Sequence, residues 1–359
     1  MSCGWKENWG TTKQHFLDWW HHEGLVLGGA GVPRDEPHQD VVHPGAAPDI
    51  TYFYTQPAWR ARWNHYQLSR QSFPADTLPI ASTDVGPGSL ALYMGGEGVL
   101  SEETVWYDPM IDPDDPEGHP PLRFEPESRW WQITEATLEA CAELANGKYV
   151  VGCPDLIENI DIVAALREPQ LLLLDMIERP DWVLEKVDET NQAFFEAYDR
   201  IYQAIKLEDG SSAFGAFRLW GPGKVAKVQC DTSAMFSPTM FDRFVVPALT
   251  EQCEWLDCSM FHLDGHQCMP HLDLLLDIEP LDAIEWTPDP QVPPGGSPEW
   301  YPMYRKILEA GKSVQAINVK PEEVVPLLDA VGGKGMYIMT SFASEAEAEA
   351  LVKAVEPYR

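Results

Sequence analysis

Short apolar runs that end in a polar residue, each followed by a helix-like pattern, recur through most of this chain and constrain its fold more than any other feature. Residues 78–83 run into Asp84, 149–153 into Asp155, 227–230 into Asp231 and 259–261 into His262. Further on, 283–284 run into Glu285, 314–317 into Asn318 and 336–339 into Thr340, and 216–220 form another apolar run. Such alternation reads as βα units around a parallel sheet. Roughly seven to eight candidate strands predict an α/β fold of the (β/α)8 TIM-barrel class rather than a doubly wound sheet. The chain carries no G-x-G-x-x-G and no G-x-x-x-x-G-K-[ST] after a strand, which disfavours dinucleotide and P-loop folds.

The helices have readable boundaries. Residues 11–22 and 57–72 pattern as amphipathic helices, separated by a Gly- and Pro-rich stretch at 28–48 that reads as loop. Ser237 followed by Pro238 looks like an N-cap with proline at the first helical position. Residues 180–202 are the longest periodic segment, and 344–355 close the chain as an Ala/Glu-rich helix. The expected organisation is an N-terminal helical and loop extension over 1–72 packed on a barrel over 73–359.

Composition narrows the function. The 359 residues hold 57 acidic against 25 basic side chains, a formal charge of −32, so nucleic acid and anionic membrane surfaces are poor partners. Small molecules, cations or a protein partner fit better. With 44% hydrophobic residues the chain can bury a large core. No apolar run reaches the roughly eighteen residues of a membrane span, and the polar N-terminus does not read as a secretory signal. Seven cysteines without a C-x-x-C pair disfavour a disulfide framework and a zinc ribbon, and point to the cytoplasm. Any metal is then held by single ligands from separate elements.

Polar groups gathered after strand C-termini mark where a barrel builds its site. The densest group is Phe261-His262-Leu263-Asp264-Gly265. In an extended segment, positions two apart face the same way, so His262 and Asp264 point together into the mouth, as zinc ligands or as an acid/base pair. Glu285 ends the next short strand and is a candidate third ligand or general base, with a salt bridge as the structural alternative. Asp231 and Cys230 face opposite sides of their strand, so one of them faces the lumen. Asp84, before a Gly-Pro-Gly turn, and Asp231 are candidate substrate-orienting groups, and Trp286 is a candidate substrate wall. The other thirteen of the fourteen Trp are expected mostly to pack.

Several segments together resemble the uroporphyrinogen decarboxylase superfamily over roughly residues 60–356. Residues 237–247 (SPTMFDRFVVP) resemble its Ser-Pro helix, 154–167 and 173–183 the helices after its third strand, and 335–355 its last βα unit. The resemblance implies a (β/α)8 barrel. The decarboxylase signature W-x-M-R-Q-A-G-R has no counterpart, Trp59-Arg60-Ala61-Arg62-Trp63 being a poor match, so the methyltransferase branch is the nearer one. That branch carries His-x-Cys-Gly and a late Cys as zinc ligands. Here the segment is His262-Leu263-Asp264-Gly265, and Thr340-Ser341 follow the last strand.

The expectation is therefore a methyltransferase-like enzyme that moves a methyl group from a small methylated compound, such as a methoxy ether, to a corrinoid protein. His262, Asp264 and Glu285 would hold zinc or another divalent metal, and the corrinoid would come only with the partner protein. The alternatives are a metal-independent decarboxylase or lyase using His262 and Asp264, and a catalytically silent binding barrel. Analogy with related barrels also implies a homodimer.

Overall fold

A computed structural model describes residues 3–101 and 105–359. Ten strands matter for the site: β1 (Leu25–Gly29), β2 (Ile80–Ala81), β3 (Val150–Cys153), β4 (Ser212–Phe214), β5 (Leu219–Gly221), β6 (Val225–Gln229), β7 (Cys258–Asp264), β8 (Ala283–Thr287), β9 (Ser313–Val319) and β10 (Met336–Thr340). Backbone pairing joins six of them into one parallel sheet in the order β1-β10-β9-β8-β7-β6. A second sheet runs β2-β3-β4-β5, parallel except for the β4–β5 pair. α-Helices separate most successive strands, the stretch from β4 to β6 excepted, giving an α/β architecture with a central parallel sheet.

The two sheets are tied at both flanks. Beside β1, the Asp76 amide donates to the Leu27 carbonyl (2.8 Å) and the Leu27 amide donates to Asp76 Oδ2 (3.0 Å). Beside β6, Ser212 Oγ donates to the Gly223 carbonyl (2.5 Å).

The register sorts the side chains. One row reads Gln229, His262, Glu285, Gln315 and Tyr337, all paired across neighbouring strands. The next reads Leu263, Trp286, Ala316 and Ile338, all buried. Because successive residues of a strand face opposite sides, the polar row lines the interior and the apolar row packs under the helices. Burying an apolar row on one side holds the polar row on the other, since a one-residue slip would exchange them.

The segment expected as an extension supplies part of this core. β1 lies in the expected loop and extension, yet pairs along its whole length with β10, because Leu-Val-Leu buries completely, Gly29 fits the close approach to Thr340 and Gly28 lies against Tyr337. Helix α1 (Trp9–Trp20) lies across the N-terminal ends of β9 and β10, where Trp19 Nε1 donates to the Gly335 carbonyl (3.1 Å) and Ser313 Oγ donates to the Trp19 carbonyl (2.5 Å). Trp19 and Trp20 thus pack with hydrogen-bonded indoles, the latter donating to the Trp220 carbonyl (2.9 Å).

Residues 216–220 depart from the expected strand. Phe217 and Arg218 both take left-handed backbone conformations (φ 56° and 53°), and β5 returns antiparallel to β4. Two such non-glycine residues cost on the order of 1–3 kcal/mol each. Inward polar side chains hold the turn: Gln315 Nε2 donates to the Phe217 carbonyl (2.8 Å) and Tyr337 Oη to the Arg218 carbonyl (3.1 Å). All seven cysteines are free and buried.

Candidate metal centre at the strand ends

Asp231, His262 and Asp264 each bring one donor atom within 4.8 Å of the others. His262 and Asp264 share one face of β7, two residues apart, and Asp231 opens the 3-10 turn Asp231–Met235 that follows β6. Cys230, one residue earlier, turns into the core instead.

Glu285 stands behind His262. Its Oε2 lies 2.5 Å from His262 Nδ1, and its Oε1 accepts from Thr287 Oγ1 (2.8 Å). The carboxylate therefore fixes the ring orientation and leaves Nε2 as the nitrogen free for a ligand, an arrangement metal-bound histidines share. Sequence reasoning placed Glu285 in the ligand set, but the structure puts it behind the histidine and brings Asp231 forward. Burial lowers the His262 pKa, but the charge and hydrogen bond of Glu285 more than offset it, so the imidazole holds its proton above the usual range. Burial raises the Glu285 pKa, with His262 partly opposing.

A second helix builds the Asp231 turn. Asp161, on the helix Asn159–Arg167, accepts from the amides of Asp231 (2.8 Å, Oδ2) and Thr232 (2.8 Å, Oδ1). Gln229 Nε2 donates to Asp231 Oδ2 (2.7 Å) and to Asp161 Oδ2 (3.3 Å). Asp231 is exposed at the rim, but its carboxyl group sits among other acids. Burial of that group, and the nearby Asp161 charge, push its pKa up to about 7.

The polar network continues to the ends of the second sheet's strands. Buried Lys227 shares the inward face of β6 with Gln229, contacts its amide oxygen, and pairs with Asp155 (2.7 Å). Burial lowers the Lys227 pKa, but Asp155 and Glu158 more than compensate and keep the ammonium charged. The Asp155 amide in turn donates to Asp84 Oδ1 (2.6 Å), and Ser82 Oγ donates to Asp84 Oδ2 (3.1 Å). Both oxygens of Asp84 are thus engaged by their own rim. The Phe217 ring lies 4.7 Å from the His262 ring and forms an apolar wall over it.

Trp286 does not join this group. It belongs to the outward row, fully buried with its ring 5.0 Å from Trp300, because its neighbour Glu285 points inward. Local pattern gave no sign of Asp161 or Phe217, whereas Lys227 and Gln229 share the odd-numbered parity of Asp231 and were readable from it.

No protein-family profile matches the sequence, and no curated protein matches it. Among solved structures, a methyltransferase from Methanosarcina mazei shares its fold, with a TM-score of 0.62, 12% identity, and coverage of 97% of this chain and 98% of that one. At that identity the likeness establishes the fold alone. Among the described residues, no helix is long and apolar enough to cross a membrane.

Proposed function

We propose that the two sheets form the wall of one (β/α)8 barrel whose mouth holds a divalent metal and transfers a methyl group from a small methylated compound to a corrinoid protein. The observation that carries this reading is the convergence of Asp231, His262 and Asp264 in front of a carboxylate-oriented imidazole. One nitrogen and two carboxylate donors suit zinc or a harder divalent ion, while the absence of thiolate from that set argues against a sulfur-rich site. Methyl transfer draws on the fold shared with the Methanosarcina methyltransferase and on the family resemblance of the sequence, and the corrinoid partner on that resemblance alone.

Asp231, His262 and Asp264 would hold the metal, which supplies Lewis acidity at the leaving oxygen. The chain does the rest. Glu285 holds the imidazole in one orientation, and Asp161 fixes the turn bearing Asp231. Phe217 presents an apolar face beside His262, which limits water at the reacting group. The acidic surface suits a partner with a basic rim.

The test is conversion of cob(I)alamin to methylcobalamin by the zinc-loaded protein with methoxylated donors, followed by absorbance. The account expects donor-dependent product that His262→Ala and Asp264→Ala abolish; product formation unaffected by both substitutions refutes it.

A second reading is favoured by one observation. A carboxyl at Asp231 whose pKa is pushed up to about 7, beside an imidazole whose pKa is also raised, is the pairing an acid/base decarboxylase or lyase would use without metal. That reading expects turnover of a small carboxylate in the presence of chelator.

A further inference from the structure

Among the described residues, five of the six buried Lys and Arg side chains meet a carboxylate or at least two acceptors, and one meets a single acceptor. Arg167 pairs with Asp175 (2.8 Å), Lys186 with Glu189 (2.9 Å) and Lys227 with Asp155 (2.7 Å). Lys6 donates to the carbonyls of Phe73 (2.8 Å) and Ala75 (2.6 Å), and Lys312 to those of Ile278 and Leu281 (2.7 Å each). Arg60 is different. It lies on the helix Pro57–Ser69, is 5% exposed, and among the described residues has no carboxylate oxygen within 4.0 Å.

Its surroundings are built but incomplete. Nη1 donates to the main-chain carbonyl of Asp84 (2.6 Å), and the guanidinium lies 5.5 Å from the Phe53 ring centre and 5.6 Å from that of Tyr54. Both rings come from the short helix Ile50–Thr55. Asp84 is the main opposing charge for Arg60 but makes no ion pair with it, and both its oxygens accept from other groups. Burial and the neighbouring Asp155 charge also raise the Asp84 pKa and favour its neutral form. An arginine cannot shed its proton to escape burial, and only one Arg60 donor has an acceptor in the described protein, which leaves the others open to an anion.

Arg60 reaches the mouth through Asp84, and Asp84 connects through Asp155, Lys227 and Gln229 to Asp231. One continuous chain of contacts therefore links an anion at Arg60 to a reacting group at His262. The acids around that mouth repel a dianion more than a monoanion.

We infer that Arg60, flanked by Phe53 and Tyr54, seats the carboxylate of the substrate, so the compound that reacts at the mouth is a small carboxylic acid rather than a neutral ether. The assignment rests on the mouth being the active site, but not on the metal. A bound carboxylate would supply the ion-pair partner that the guanidinium lacks.

Titration calorimetry on chelator-treated protein tests it, so that failure of metal binding and failure of this inference read out separately. The probes are methoxyacetate and 4-methoxybenzoate, each against its neutral amide, with inorganic phosphate as a further arm. We expect at least one acid to bind wild-type protein at least tenfold tighter than its amide and tighter than phosphate, and the preference to vanish in Arg60→Met and return in part in Arg60→Lys. Thermal unfolding adds a readout independent of ligand. Removing an uncompensated buried charge in Arg60→Met raises the midpoint of the ligand-free protein, whereas a purely structural arginine would lower it. Equal binding of acid and amide, preference for phosphate, no binding of either acid, unchanged acid binding in Arg60→Met, or a lowered midpoint overturns the inference.

Discussion

Replacing Glu285 with glutamine isolates what the buried carboxylate does for His262. The substitution is nearly isosteric: one side-chain oxygen can still accept from His262 Nδ1, and the new amide can donate to Thr287 Oγ1, so both contacts at 2.5 and 2.8 Å have replacements. What disappears is the negative charge that orients the ring and raises its basicity. Loss of such a partner behind a metal-bound histidine typically weakens metal affinity about 10- to 100-fold, or about 1.4–2.7 kcal/mol. The assay is competition for zinc against a chromophoric chelator at pH 8, with thermal unfolding run in parallel. The same change lets the His262 pKa fall toward its ordinary value, which proton NMR of the ring reads directly. Zinc affinity within twofold of wild type, with the His262 titration unmoved, would refute the role given to Glu285.

Four further outcomes follow from the structure. Asp161→Asn keeps the shape but turns an amide donor toward the amides of Asp231 and Thr232, so zinc affinity should fall about tenfold while circular dichroism is unchanged; retained affinity contradicts the role of that carboxylate. With the Asp231 carboxyl near 7 and His262 holding its proton above the ordinary value, protons compete with metal, and affinity should fall at least about tenfold between pH 7 and 5; a flat profile excludes both groups as ligands. In metal-free protein, a carboxyl raised from 3.8 costs stability as pH climbs toward 7, and the stability from protonated His262 is lost above 6.5, so these groups make the metal-free fold weaker at pH 8 than at pH 5. Trp286→Ala should destabilise by about 3–5 kcal/mol in urea unfolding and leave zinc affinity unchanged, because the ring belongs to the core; a selective loss of affinity would place it in the site.

Periodicity carried much of this site. The rule that alternate residues of a strand share a face places His262 with Asp264, and opposes Asp231 to Cys230, as the structure has them. The same rule, applied to Glu285, sends Trp286 outward, so the error there came from weighing its aromatic character over its parity. Glu285 itself illustrates a different limit: a chain pattern shows which way a carboxylate faces but not whether it meets a metal or the far side of a histidine ring. β1 was hidden because Leu-Val-Leu-Gly-Gly looks like the start of a glycine-rich loop, and only pairing with β10 makes it a strand. Asp161 and Arg60 act through contacts spanning 70 and 24 positions in sequence, which no local pattern encodes.

The central claim is that Asp231, His262 and Asp264 form a metal site. Metal analysis of protein purified without chelator, beside His262→Ala and Asp264→Ala, tests it most directly. The account predicts about one equivalent of zinc or another divalent ion in the parent and its loss in both variants. A parent that stays free of metal after incubation with zinc, manganese or iron, or variants that retain it, would contradict the account.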